Sequence, residues 1–186
     1  MATEKTLFLW KADTATEEFE PVEPSAEQRR TFQALCDIEN EFDAGQGVEA
    51  HAKLDRFDSD NPGFAFQTDE IRFKWMASED PMAFSLKIDT ILSTEGKDHW
   101  YRLGALCGQL ATLPETTDLA ILTIEKVLAL SKHEDLFVLY FATVTYVQAG
   151  EISKANTVSA EAISLIDSNP TVENEPLRGF FSSIWD

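Results

Sequence analysis

Trp100-Tyr101-Arg102-Leu103-Gly104-Ala105-Leu106-Cys107-Gly108-Gln109-Leu110, followed by the apolar-rich run Leu119 to Leu130, decides the fold class. Both runs space their apolar residues as helices do, without the strict alternation of a half-buried strand. Pro114 and the capping cluster Thr116-Thr117-Asp118 separate them, as expected where one helix ends and another begins. Gly104 offers no side chain, so it predicts a place where two antiparallel helices approach closely.

Working outward, the same reading repeats. Ser25 is a good N-cap with Gln28 three residues on, the spacing of a capping box. Phe32, Leu35, Cys36, Ile38 and Phe42 then form one helical stripe, closed by Gly45-Gln46-Gly47. Val48, Ala52, Leu54 and Phe57 form a second, ended by Asn61-Pro62-Gly63. A third helix is expected over Phe64 to Ala77, with Ile71, Trp75 and Met76 on one side. Pro81 opens a fourth through Phe84, Ile88 and Ile91 towards Gly96. Leu136 to Ala149 and Ser153 to Ile166 complete eight helices in four pairs. Residues 1–25 differ: Thr6-Leu7-Phe8-Leu9-Trp10 favours a strand, and Pro21 and Pro24 forbid a regular helix. The expected organisation is an extended arm or short strand plus loop over 1–25, an all-α domain over 26–170 and a capping segment over 171–186.

The pair ends at Pro62, Gly96, Ser131 and Pro170 recur at spacings of 34, 35 and 39 residues. Gly45, Ala50, Leu54, Phe57 and Pro62 carry the turn glycine, second-helix alanine, apolar contacts and terminal proline of one unit. Trp100-x-x-Leu103-Gly104 opens another, and Tyr146, Gly150, Ala155 and Ala162 recur at matching offsets. On these residues the chain resembles a tetratricopeptide-repeat protein over residues 27–170. The second repeat departs from the pattern with Phe84 in place of alanine, and the third has extra residues around Leu113-Pro114. A non-repetitive helical bundle is the alternative. The resemblance implies a short solenoid of about four antiparallel helix pairs whose first helices line a binding groove. Arg30, Glu41, Arg72, Lys74, Arg102, Gln109 and Tyr140 would then be candidate partner contacts.

Charge narrows the partner. Fifteen Lys and Arg stand against 33 Asp and Glu, a net charge of -18, with the excess spread along the chain rather than gathered in a tail. Such a surface repels nucleic-acid phosphates and anionic lipid, and attracts a basic or amphipathic protein segment. The longest apolar runs fall short of the ~20 residues of a membrane helix, and Leu7-Phe8-Leu9-Trp10 is too short for a signal peptide. A cytoplasmic protein is the expectation.

Motifs for chemistry are thin. His51, His99 and His133 lack metal-ligand spacing, and Cys36 and Cys107 lack a C-x-x-C partner and read as small core hydrophobes. Asp58-x-Asp60-x-Pro62-Gly63, with Asp69 at the twelfth position, approximates a calcium loop. Pro62 and the short Asp69 depart from that pattern, and an acidic helix-to-helix turn accounts for the same residues. No metal or cofactor is expected. Phe180, Phe181, Ile184 and Trp185 would line one face of a short C-terminal helix. They either cap the array or, at Phe180 and Trp185, meet a partner. The reading is a non-catalytic protein-binding module. Its sharper forms are an immunity protein that neutralises a basic bacterial toxin and a secretion-type chaperone; an enzyme with an unrecognised site is the remaining alternative.

Overall fold

The structure is a computed structural model that describes residues 9–12, 19–94, 97–168 and 174–184. Apart from one short hairpin the described chain is all-α. It divides into two compact units, Met1–Ile71 and Arg72–Asp186.

In the first unit, strands β1 (Leu9–Ala12) and β2 (Phe19–Val22) pair antiparallel, with Trp10 opposite Pro21. The second strand falls in the stretch expected to be a loop. A two-stranded ribbon leaves each strand an open edge, so Pro21, which has no N–H to donate, is accommodated. Helix α1 (Ala26–Asp43) starts with the expected capping box. The Gln28 N–H donates to Ser25 Oγ at 3.1 Å, and the Ser25 N–H donates to Gln28 Oε1 at 2.8 Å. Gly45 lies at φ +84°, a left-handed turn that glycine adopts without strain, and releases the chain into α2 (Gly47–Asp60). The two helices pack along one another, with Leu35, Cys36 and Ile38 of α1 and Ala50, Leu54 and Phe57 of α2 all buried. Val48, expected on the apolar stripe of α2, is instead 82% exposed, and Ala52 is exposed too. The buried face runs through Ala50, one helical turn before Leu54, so the stripe is rotated from the one expected.

The calcium-like spacing is not a loop either. Asp58 and Asp60 lie in the last turn of α2, and Asp58 Oδ1 accepts a 2.7 Å hydrogen bond from the fully buried Thr68 hydroxyl. Thr68 belongs to α3 (Ala65–Glu79), which runs across the boundary between the units.

The second unit continues with α4 (Pro81–Leu92), α5 (Lys97–Leu110), α6 (Thr117–Ser131), α7 (Leu136–Gln148), α8 (Ile152–Ser168) and α9 (Glu175–Ser183). Each helix packs on its successor through short connections. Next-but-one neighbours pack as well: α4 on α6, α5 on α7 and α7 on α9. Phe84, Ile88, Leu110, Ile124, Val127 and Leu139 are almost wholly removed from solvent in one continuous core. Full burial stabilises the fold by about 1.5–3 kcal/mol for each such side chain. Phe84, the departure from the repeat pattern, is completely buried and meets the Phe73 ring edge-on at 6.2 Å.

Gly104 does sit at a helix crossing, but its partner is α7 rather than the adjoining α6. A Cβ at Gly104 would lie 2.8 Å from Phe141 Cβ, and one at Gly108, a turn further on, 3.3 Å from Val144 Cγ1. Two glycines one turn apart thus let α5 press against α7. The Thr116-Thr117 pair also acts differently from a cap. Their hydroxyls donate back to Leu110 O at 2.7 Å and Leu113 O at 2.9 Å, tying off the end of α5.

Candidate partner-binding surface

The residues expected to contact a partner fall in different places. Arg30 is exposed on α1 and donates from Nε to Ala26 O at 3.3 Å. Glu41 accepts the Lys53 ammonium at 2.6 Å, joining α1 to α2. Arg72 and Lys74 are partly buried on α3, and both are engaged with other groups. Arg102 and Gln109 are exposed on α5, two turns apart and therefore on one face. Tyr140 and Phe180 are brought together, with ring centroids 4.6 Å apart, and Phe180 also packs on Phe181. Phe181 is completely buried in the core of the second unit, whereas Trp185 lies outside the described residues. The Tyr140–Phe180 contact therefore ties α9 to α7.

A feature missing from the sequence reading is a set of ion pairs across the helices of the second unit. Lys126 of α6 reaches Asp89 of α4 at 2.5 Å, and its neighbour Glu125 accepts Lys154 of α8 at 2.8 Å. His133 Nδ1, in the turn after α6, lies 2.7 Å from Glu161 of α8, and Arg178 of α9 pairs with Asp167 of α8. Exposed pairs of this kind add little stability individually, about 0–1 kcal/mol. Their consequence is electrostatic. Lys126, Lys154 and Arg178 are matched by acids of the same unit, and with 33 acids against 15 lysines and arginines the charge left unmatched is acidic.

That acidity also acts on Tyr146. Burial, followed by the charges of Glu125, Glu151 and Glu161, pushes its phenol up to about 12, while Lys154 sits 5.5 Å from the ring centroid. The hydrogen bond to Glu125 is also the main reason the Lys154 ammonium holds its proton more tightly than usual.

Several groups suited to chemistry are engaged in the packing. Cys107 is fully buried, and desolvation pushes its thiol well above the usual range, against the thiolate a nucleophile needs. His51 packs edge-on against Phe42 at 5.8 Å. Asp135 is buried, with Oδ1 accepting the N–H groups of Phe137 and Val138 at the start of α7 and Oδ2 accepting the Tyr101 hydroxyl at 2.9 Å. That carboxylate is fully used as a helix cap. An open depression on the outer side of α8 includes His133, Ser153, Thr157 and Glu161, but the Thr157 hydroxyl donates to its own helix at Ser153 O. Among the described residues no group of three or more His, Cys, Asp or Glu is placed to hold a metal ion. None of the described helices is long and apolar enough to cross a membrane.

Comparison with known protein families, with characterised proteins and with solved structures gives no match.

Proposed function

We propose that this chain is a non-catalytic protein-binding module for a basic protein partner, built on tetratricopeptide-like helix pairs. The observation that carries the reading is the surplus of 33 acids over 15 lysines and arginines, together with the engagement of Lys126 and Lys154 in ion pairs within the second unit. A field of this sign raises the encounter rate with a basic surface and repels nucleic-acid phosphates. The packing of α5 on α7 and α7 on α9 supports the helix-pair arrangement, because stacked repeats place successive first helices side by side.

The test is affinity capture from the native organism's lysate, followed by purification of the recovered protein and titration at several salt concentrations. A basic partner is expected, with affinity falling at least tenfold between low and physiological salt. An acidic partner, or one whose affinity ignores salt, overturns the reading. If the captured protein is an enzyme whose activity stops on binding, the module is an inhibitor of the immunity type. If it is held only while unfolded or awaiting export, the module is a chaperone.

A further inference from the structure

Core-facing residues account for only part of the apolar content of α4. Phe84 and Ile88 are buried, but Met82 and Leu86, one turn apart on the opposite face, are 76% and 64% exposed. On α6, Leu122 is 57% exposed while Ile124 and Val127 are buried. The two sets lie on neighbouring helices. Short connections lead from α4 to α5 and from α5 to α6, and each helix packs on the next, so α4 and α6 run in the same direction.

The Asp89–Lys126 pair sets their register, since the two residues lie about 2.2 and about 2.5 turns from the starts of their helices. Leu86 is one turn before Asp89 and Leu122 one turn before Lys126, which places the two leucines level, with Met82 a turn earlier. Acids surround this patch. Glu79 and Asp80 come just before α4, and Glu115 and Asp118 stand at the start of α6, while Asp89 and Glu125 at the other end are paired with Lys126 and Lys154. The local cations are Lys126, held by Asp89, Lys154, held by Glu125, and Lys87.

We infer that the α4–α6 face is the docking site for a basic amphipathic helix of the partner protein, an assignment that rests on the function proposed above. The apolar side of such a helix would cover Met82, Leu86 and Leu122, and its Lys or Arg side chains would meet the acids where α4 and α6 begin. Charge complementarity selects this occupant. A second copy of the chain would add its own net negative charge to that of this face, and a polyanion would be repelled.

Fluorescence anisotropy with the full chain tests the assignment. The probe is a labelled Leu/Lys amphipathic helix of about five turns, and its control is a peptide of equal composition with the helical order of Leu and Lys shuffled. The ordered peptide is expected to bind at least about tenfold more tightly than the shuffled one. Leu86→Glu with Leu122→Glu removes that preference, and Ile152→Glu, at another exposed apolar position on α8, leaves it intact. Thermal melting of each variant checks that the fold persists, as expected for solvent-facing positions. A preference that survives the double substitution overturns the site. Equal affinity for both peptides also overturns it, while leaving the acidic-surface reading standing. No binding of either peptide overturns both. Sedimentation showing a dimer that the double substitution dissociates would assign the face to a second copy and refute the partner-helix assignment.

Discussion

Gly104→Ala tests the close approach of α5 to α7. The new Cβ would lie 2.8 Å from Phe141 Cβ, with ring atoms Cδ2 and Cγ at 2.8 and 2.9 Å. Carbon atoms prefer about 3.5–4.0 Å, so the Cβ pair is about 0.7 Å too close. The ring can turn aside, but Phe141 Cβ is fixed to the backbone, and relief requires α5 to move away from α7. Overpacking of this kind costs about 1–3 kcal/mol, against a gain of about 1 kcal/mol from replacing glycine with alanine inside a helix. Because the clash is with an atom fixed to the backbone, the cost falls in the upper part of that range, about 2–3 kcal/mol. That leaves a net loss of about 1–2 kcal/mol and a fall of about 2–8 °C in Tm for a chain of this size. Gly108→Ala is the internal comparison. Its Cβ would meet only the Val144 Cγ1 methyl, at 3.3 Å, and a small shift there offsets the helix gain, leaving stability within about 0.5 kcal/mol of the parent. Circular dichroism melts and urea titrations of the three proteins decide the matter. If Gly104→Ala melts at or above the parent, α5 and α7 do not cross at this distance and the packing argument fails.

Other outcomes follow from single contacts. Asp135→Ala removes the cap of α7 and the acceptor for the Tyr101 hydroxyl, with an expected loss of about 2 kcal/mol in urea titrations. Asp135→Asn should recover much of it, because the amide oxygen can still cap; equal losses for the two would refute a capping role. Lys132 ends α6 at φ +54°, in the left-handed region unfavourable to side chains, so Lys132→Gly should raise the urea midpoint by about 1 kcal/mol of stability. No gain would mean that the turn carries no strain. Tyr146 holds its proton up to about 12 in the folded protein, above its ordinary value near 10. Its protonated form is therefore favoured by folding, and its contribution, complete below pH 10, falls away as pH rises towards 12. Tyr146→Phe should flatten that part of the stability–pH curve, and an unchanged curve would refute the burial of the phenol.

Local chemistry made much of this molecule legible in its amino-acid order. Ser25 and Gln28 announced the start of α1, Pro81 opened α4, and the glycines at 45 and 150 marked turns where the backbone takes a positive φ. These signals are local, because a cap or a turn is satisfied within a few residues. The all-α class followed from helical spacing summed over the whole chain. The acidic surplus was equally legible, since charge needs only counting.

Relations between helices could not be read the same way. Gly104 showed in sequence that something comes close, but only the packing decided that the neighbour is Phe141 of α7 rather than a residue of α6. Val48 fits an apolar stripe as well as Ala50 does, and the choice between them depends on how α2 is turned against α1. On α4 the helical spacing pointed to Phe84 and Ile88, and both are buried; that Met82 and Leu86 form a second apolar face left to solvent was decided by the packing. The pairing of Asp89 with Lys126, which sets those exposed residues level with Leu122, joins side chains far apart in the chain. Sequence determines which residues can form a helix and how much charge they carry. Tertiary packing determines which face of that helix is covered, and so which residues are left to meet a partner.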